Sequence, residues 1–320
     1  MGTYILRRLL LIPLVVFIIS VLTFTLIRAL PGDAAIARLG ATGQQCETCM
    51  DRVRAELGLD KPKYEQYGIW LKDAVRLDFG LSTSTGQPVN DELPERLLNT
   101  LEVGIVTIVF TLLLGIPVGA FSAVRRGTWV DNGLRFLSML GLSVPSFWVA
   151  TLVVSLPVIW WNQTWVTDWV LHRWVKFDEN IFTHLLVLVL PALTLAIGGS
   201  AYVARITRSS MLEVLSSDHV RTARAKGLKE RAVVISHVMR NSMLTLLTVV
   251  GLQFGVVLGG SVIIETIFGI PGIGAWLVTA VSNRDYQIVQ AIAIVFALWF
   301  LMITLVTDVL YAWVDPRIRY

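Results

Sequence analysis

Long apolar runs recur along the chain, and the polar residues are grouped between them. Six runs are about twenty residues long or longer, at roughly 9–27, 101–124, 134–159, 185–203, 242–264 and 288–314. A helix of about twenty apolar residues crosses about 30 Å of hydrocarbon, because each residue rises about 1.5 Å. The pattern therefore predicts an all-α membrane protein with six transmembrane helices.

The first apolar run could be mistaken for a secretory signal, because Arg7 and Arg8 precede it. It is longer than the apolar core of such a signal, and Pro31 directly follows the position where cleavage would occur. We therefore expect residues 1–30 to form a retained first transmembrane helix.

Composition agrees with a membrane protein and narrows the classes of function. Of the 320 residues, 55% are hydrophobic and only 16% are charged, whereas about a quarter are charged in a soluble domain. The sequence has no P-loop, nucleophile elbow, H-E-x-x-H motif or spaced carboxylate pair, and its four histidines are scattered. We expect no enzyme activity, catalytic residue, metal site or cofactor on this chain. The classes of function that remain are conduction, transport and anchoring.

Basic residues between the runs predict the orientation, because cytoplasmic loops retain positive charge. Segment 205–240 has eight Lys or Arg against three acidic residues, and short basic stretches lie near both ends and after the second run. Segment 31–99 has eight basic and eleven acidic residues. Both termini are therefore predicted to be cytoplasmic, with 31–99 as an extracytoplasmic loop domain and 100–320 as a five-helix core.

Two features of the predicted outer loop suggest local structure. Apolar residues recur at helical spacing and predict an amphipathic helix, at an interface or under a partner, through Tyr64, Tyr67, Leu71, Ala74 and Val75. Cys46 and Cys49 also lie in this loop. We favour a local disulfide, with free thiols or a partial metal site as alternatives, because C-x-x-C alone is a weak signal.

The fifth run contains small residues at intervals of four: Gly251, Gly255 and Gly259. Such residues let helices approach closely in lipid, so tight packing is the simpler interpretation. The alternative is a pathway-lining face that also uses Gln253. Ionisable residues inside the runs are too few for a proton relay, which favours an external source of energy.

The most basic segment predicts two helices joined by a turn. Residues 221–226, RTARAK, favour a helix, and Gly227 can adopt the left-handed conformation that ends one. A second helix then begins near Lys229 and continues into the fifth run. Nucleic-acid binding is disfavoured, because no aromatic residue for stacking lies between Asp218 and Asn241.

The segment RTARAKGL resembles the cytoplasmic EAA-type loop of permease subunits in ATP-binding-cassette (ABC) importers, in the peptide and nickel branch. Further segments that resemble this family extend over nearly the whole chain: ALPGDAA at 29–35, LGLDKPKYEQY at 57–67, DFG at 78–80, NTLE at 99–102, GLSVPSFW at 141–148, ETIFGIPGIG at 265–274, NRDY at 283–286 and DPRIRY at 315–320. Each segment alone is weak, but their order and spacing together are specific.

The resemblance implies a type I importer permease whose coupling loop, within 205–241, docks a short helix on an ATPase subunit. Residues matching this loop are Arg221, Thr222, Ala223, Ala225, Gly227 and Leu228, of which the first three occupy the places of Glu-Ala-Ala. Two departures stand out. Arg221 reverses the charge of the motif's glutamate, and His237-Val238-Met239-Arg240 replaces its terminal Ile-x-Leu-Pro, which leaves the end of the second helix open.

The resemblance also implies partners and a function. The partners would be a second homologous permease subunit in a heterodimer, two ATP-binding subunits that carry ATP and Mg, and an extracytoplasmic substrate-binding protein. The chain would then form half of a translocation pathway for di- or oligopeptides in a bacterial or archaeal cell membrane. Alternatives are import of nickel, glutathione or another small solute by the same kind of complex, or a secondary transporter or channel acting alone.

Overall fold

The computed structural model describes residues 2–29, 35–36, 38–39, 47–56, 58–161 and 174–314, and the regular structure in these ranges is helical. An isolated bridge between Leu81 and Pro88 is the one β-type contact among them. The longer helices are α1 (Gly2–Ala29), α2 (Glu47–Glu56), α3 (Lys63–Val75), α4 (Val89–Val124), α5 (Trp129–Ser143), α6 (Ser146–Trp161), α7 (Ile181–Leu215), α8 (Asp218–Ala225), α9 (Arg240–Phe268), α10 (Ile273–Ser282) and α11 (Tyr286–Val314). The all-α prediction is confirmed.

Within the described ranges, five helices are long and apolar enough to cross a membrane by themselves: α1, α4, α7, α9 and α11. The predicted third span differs. It consists of α5 and α6, which meet at an angle of 88°, so that six spans result only if this bent pair counts as one. The single third helix that the apolar run predicted is corrected to two helices separated by a break.

Pro145 explains the break between α5 and α6. Proline has no backbone N–H, and it disfavours helical geometry in the residue before it. That residue, Val144, is extended, with φ −89° and ψ 121°. The Pro145 carbonyl then accepts the N–H of Trp148 at 3.1 Å in the first turn of α6.

The second span is longer than its apolar run. Helix α4 has 36 residues and begins at Val89, twelve residues before the predicted start. At about 1.5 Å per residue it is roughly 54 Å long, which exceeds the hydrocarbon thickness of about 30 Å. The helix therefore carries its spanning part and an N-terminal polar extension without interruption.

Two compact units divide the chain, and the smaller contains residues 2–99 and 271–302. Its core includes Trp70 of α3, Phe79, Trp276 of α10 and Ile292 of α11, all of them buried. The predicted division ended this part at residue 99. Segment 271–302 joins it because its apolar side chains fill the same core as those of α3.

Helix α3 packs along α1 within this smaller unit. The Tyr67 hydroxyl lies 2.8 Å from Ser20 Oγ, and the Tyr67 ring meets Phe24 edge to face at 5.1 Å. The predicted apolar face is therefore partly wrong. Tyr64 and Val75 are 80% and 76% exposed, whereas Trp70 is buried with Ala74.

The larger unit contains residues 100–270 and the chain from 303 onward. Helix α7 contacts α4, α5, α6 and α9. Glycines allow this close packing: a Cβ on Gly119 of α4 would lie 2.4 Å from the Ala204 carbonyl oxygen, and one on Gly115 would lie 2.8 Å from that of Ser200. Small residues replace larger ones where helix backbones approach each other in a membrane.

Candidate functional site

The helix-turn-helix predicted in the basic segment is present. Helix α7 ends at Leu215, and α8 occupies Asp218–Ala225. Gly227 has φ +76°, a left-handed conformation that side chains disfavour, and its N–H donates to the Arg224 carbonyl at 2.9 Å. Lys229 is extended, and the next helical turn begins directly after it.

One side of α8 is fixed to the large unit. Val220 and Ala223 are buried and belong to an apolar cluster with Ala120 of α4 and Met211 of α7. The side chain of Ala223 therefore faces the bundle. This contact couples the position of α8 mechanically to α4 and α7.

The opposite side of α8 is exposed and carries the remaining residues predicted for the coupling loop. We call this the outer face of α8, formed by Arg221, Thr222, Ala225, Gly227 and Leu228. Its first three members lie at i, i+1 and i+4, which places them on one side of the helix. The Arg221 side chain is 72% exposed and lies 3.4 Å from Asp218 Oδ1. A cation and short side chains are thus available to a partner.

An ion pair closes the turn at Gly227. The Arg224 guanidinium donates to Glu230 Oε2 at 3.1 Å through Nε and to Oε1 at 2.6 Å through Nη2. These hydrogen bonds lower the pKa of the Glu230 carboxyl and raise that of Arg224. The pair joins the end of α8 to the start of the following helix.

The sequence left open where the second helix of the basic segment ends. In the structure this helix continues into α9, the fifth predicted span. A short helical turn at Glu230–Ala232 is followed by a π-helical segment, Val233–Met239, and then by α9. The π-helical segment includes most of the four residues that depart from the family motif. Val233 and Val238 are buried in the cluster below α8, so this wider winding directs both toward the bundle.

A buried ion pair near this cluster was not predicted. Asp131 of α5, only 1% exposed, accepts from Arg208 of α7 through Nε at 2.8 Å and Nη2 at 2.9 Å. Ser122 Oγ and the Gly127 N–H also donate to it, at 2.6 and 3.0 Å. Thr128, which caps α5, is the local signal for an acid in the first turn. The partner, 77 positions away, has no signal in the sequence.

The glycines of the fifth span have different surroundings. A Cβ on Gly251 would lie 2.5 Å from Thr307 of α11, whereas one on Gly259 would meet nothing within 4 Å. Gly255 is half-buried. Gln253 is buried beside Gly199 of α7, whose Cβ would lie 2.7 Å from the Gln253 amide nitrogen. Gly251 is therefore a site of close helix packing within this chain. Gln253 is buried between helices of the same chain.

The cysteine pair is described only in part. Cys49 of α2 is half-buried and carries a disulfide bond. Cys46 lies outside the described residues, so the local pairing stays a prediction. Among the described residues, no group of three or more His, Cys, Asp or Glu side chains could hold a metal ion.

Comparison with known proteins identifies the family. Residues 115–320 match the family described as binding-protein-dependent transport system inner membrane component, and residues 1–104 match its N-terminal companion family. A relative from Brucella abortus, named as a peptide transport system permease protein, is 40% identical over 309 residues, covering 96% of this chain and 95% of the relative. The glutathione transport system permease protein GsiC of Escherichia coli is 40% identical over 321 residues, covering all of both chains.

A solved structure shares the fold. It is the MetNI methionine ABC transporter in an inward-facing conformation, with a TM-score of 0.55 at 14% identity, covering 70% of this chain and 96% of that one. At this identity the likeness concerns the fold alone. By its sequence, this chain belongs to the binding-protein-dependent transport system inner membrane component family and is a multi-pass permease subunit of an ABC importer.

Proposed function

We propose that this permease forms half of a translocation pathway for di- or oligopeptides, in a heterodimer with a second homologous permease subunit. A substrate-binding protein outside the membrane delivers the peptide. Two ATP-binding subunits in the cytoplasm hold ATP and Mg and hydrolyse the nucleotide. The outer face of α8 contacts one of them, and both termini of the chain lie on the same cytoplasmic side.

The two-sided placement of α8 carries this proposal. Its outer face is free for a partner, while Val220 and Ala223 on the other side pack against α4 and α7. A ligand shifts a conformational equilibrium only if it interacts differently with the two states. An ATPase dimer that closes on ATP would supply that difference by displacing α8, and the buried contacts would pass the displacement to two spans.

Arg221 suggests the chemistry of the contact. Its guanidinium is largely exposed, and its ionic neighbour Asp218 has a 95% exposed side chain. Such an exposed pair contributes little to stability. A carboxylate on the ATPase subunit would therefore compete readily for Arg221, in place of the contact that a glutamate makes at this position of the general motif.

The names of the relatives support peptides as the substrate and leave glutathione as a second candidate substrate. The peptide permease relative and GsiC are equally similar to this chain, at 40% identity. Glutathione is itself a small peptide with an unusual linkage, so one pathway could suit both. Reconstituting the complex with its binding protein separates them: the true substrate stimulates ATP hydrolysis, and an excess of the other compound does not.

Substitution of Gly227 by valine tests the coupling role. Gly227 has φ +76° with nothing within 4 Å of an added Cβ, so valine strains the turn at a cost of about 1–2 kcal/mol without a clash. We expect the variant to stay in the membrane and to lose ATP-driven uptake at least about tenfold, because α8 is displaced. Uptake and ATP hydrolysis are measured together in vesicles.

Gly86 provides the matched control. It has φ +73° and equally open surroundings, but lies in the smaller unit. Gly86→Val therefore introduces the same backbone strain away from α8 and should retain uptake. Normal coupled uptake by Gly227→Val, or equal losses in both variants, would reject the role assigned to α8.

A further inference from the structure

A groove in the larger unit lies between α4, α5 and α7 and has a volume of about 300 Å³. We call it the arginine groove, after the residues that define it: Val118, Arg135, Met139, Leu142, Arg205 and Arg208. Its volume is at the lower end of the range of about 300–1,000 Å³ for small-molecule sites. The coupling role of α8 uses none of these residues.

Two of the three arginines keep an uncompensated charge. Arg208 is neutralised by Asp131, as described above. Arg135 and Arg205 are exposed, and neither forms an ion pair with any residue that the structure describes. The Arg205 guanidinium lies 5.5 Å from the centre of the Tyr202 ring, a contact that leaves its hydrogen-bond donors available. The groove thus presents two cations to an external anion.

Polar and apolar residues are segregated along the groove. On α5, Arg135 lies midway along the helix, and Met139 and Leu142 follow one and two turns later, up to about 10 Å further along the helix. On α4, whose C-terminal end is joined to the start of α5 by a short turn, Ser122 lies near the helix end and Val118 lies one turn before it. One end of the groove therefore suits an anionic group and the other suits a hydrocarbon chain.

We propose that the arginine groove binds an anionic phospholipid. The phosphate accepts hydrogen bonds from Arg135 and Arg205, and one acyl chain lies along Val118, Met139 and Leu142. Guanidinium groups bind phosphate oxygens with planar, charge-assisted hydrogen bonds. Basic pockets between transmembrane helices are recognised sites for anionic headgroups.

The surroundings of the groove favour a lipid over a protein partner. Phe136 and Leu137, beside Arg135 on α5, are 62% and 61% exposed, so the charged entrance is bordered by apolar surface. A lipid covers both kinds of surface with one molecule. This inference rests on the membrane placement of the chain and not on the peptide substrate or the ATPase contact.

A bound lipid would reinforce the junction of α5 with α7. The Asp131–Arg208 pair already joins these helices beside the groove. A phosphate between Arg135 of α5 and Arg205 of α7 would add a second ionic connection across the same two helices. Anionic lipid should therefore stabilise the permease as well as remain bound to it.

Lipid retention tests the proposal on the complex extracted through a tag on this chain. The complex is exchanged into nanodiscs or mixed micelles containing phosphatidylglycerol and phosphatidylcholine, and retained lipid is counted by native mass spectrometry. We expect preferential retention of phosphatidylglycerol. The Arg135→Gln/Arg205→Gln double variant should weaken it by about fivefold for each arginine removed.

Two further variants separate charge from fold. Arg126→Gln removes an exposed arginine outside the groove and should retain phosphatidylglycerol as the wild type does. Met139→Trp keeps all the charges but fills the acyl end of the groove, and it should also lose the lipid. Each variant is compared only after size-exclusion chromatography shows a monodisperse complex.

Several results would overturn the inference. These are equal retention of the two lipids by the wild type, unchanged retention by the double variant, or displacement of the lipid by inorganic phosphate alone. A photo-crosslinker at Ser138, which lines the groove, should label lipid. If it labelled a partner polypeptide instead, the groove would be a protein interface.

Discussion

Asp131 shows how one carboxylate connects several parts of the chain. It accepts hydrogen bonds from Ser122 at the end of α4, from Gly127 in the following turn and from Arg208 of α7. Its burial makes each of these bonds necessary, because an unpaired buried charge is costly. The same burial makes the pair sensitive to substitution of either partner.

Removing one partner of this pair should destabilise the permease. We expect Arg208→Gln to lower the free energy of unfolding by about 3–5 kcal/mol, because it leaves the buried Asp131 without its counter-charge, and Asp131→Asn to lower it by less, because the Arg208 side chain is 21% exposed. The double variant should lose less than the sum of the single losses. Thermal unfolding of the purified chain gives the comparison, with exposed Arg126→Gln as the control, and additive losses would contradict the coupling.

The Arg224–Glu230 pair should give the turn after α8 a dependence on pH. The pKa of Glu230 is lowered in the folded chain from its ordinary value of 4.5. Stabilisation by the pair is therefore complete above that ordinary value and is lost as the pH falls through the lowered folded pKa. Both groups are exposed, so the effect is local to the turn.

Hydrogen exchange across 218–232 measures this effect. At neutral pH we expect Glu230→Gln to exchange faster than the wild type, since only the wild type has the ionic contact. After correction for intrinsic rates, the difference should shrink in acid and disappear once the pH is below the lowered pKa of Glu230. Glu213→Gln, an exposed acid at the end of α7, serves as control. A difference that persisted in acid would indicate lost packing instead of a lost ion pair.

At the scale of helices, the glycines of α9 show that spacing alone does not identify a packing surface. Gly251 faces Thr307 of α11, while Gly259 is exposed and follows a stripe of apolar residues formed by Leu252 and Val256. Gly251, Gly255 and Gly259 recur at intervals of four. Which of them has a neighbouring helix depends on the tilt and rotation of α9 in the bundle.

Alanine substitutions should separate the two positions. Glycine inside a helix costs about 0.5–1 kcal/mol relative to alanine, so Gly259→Ala should be neutral or stabilising in the isolated chain. Gly251→Ala places a Cβ 2.5 Å from Thr307 and should destabilise by a net of about 1–2 kcal/mol, because overpacking exceeds the propensity gain. Thermal unfolding in detergent reports both, and a stable Gly251→Ala would show that α9 and α11 can separate at little cost.

At the scale of the whole molecule, the proposed orientation can be tested with a pair of lysines. Lys72 on α3 and Lys226 after α8 are both exposed and lie on segments of opposite predicted location. With a membrane-impermeant maleimide on spheroplasts, Lys72→Cys should be labelled, and Lys226→Cys only after permeabilisation. The wild type gives the background from its own cysteines. The reverse pattern would invert the topology and remove α8 from the cytoplasm.

Much of the candidate site could be predicted because it is local in sequence. Helix α8 and its turn follow from the helix-forming residues before Gly227 and from the glycine itself. What could not be predicted is which side of α8 faces inward, since Ala223 and Ala225 are identical residues. Their environments differ because α4 and α7 cover only one side.

The sequence by itself determined the all-α class, the approximate spans and the helix-turn-helix at Gly227, since these depend on apolar length and local backbone preference. Tertiary structure decided the features that join distant parts of the chain. It paired Asp131 with Arg208, placed segment 271–302 in the core with Trp70, and made Gly251 but not Gly259 a close contact within the chain. Each depends on which surfaces meet when helices pack, and a one-dimensional pattern of residue types does not specify those meetings.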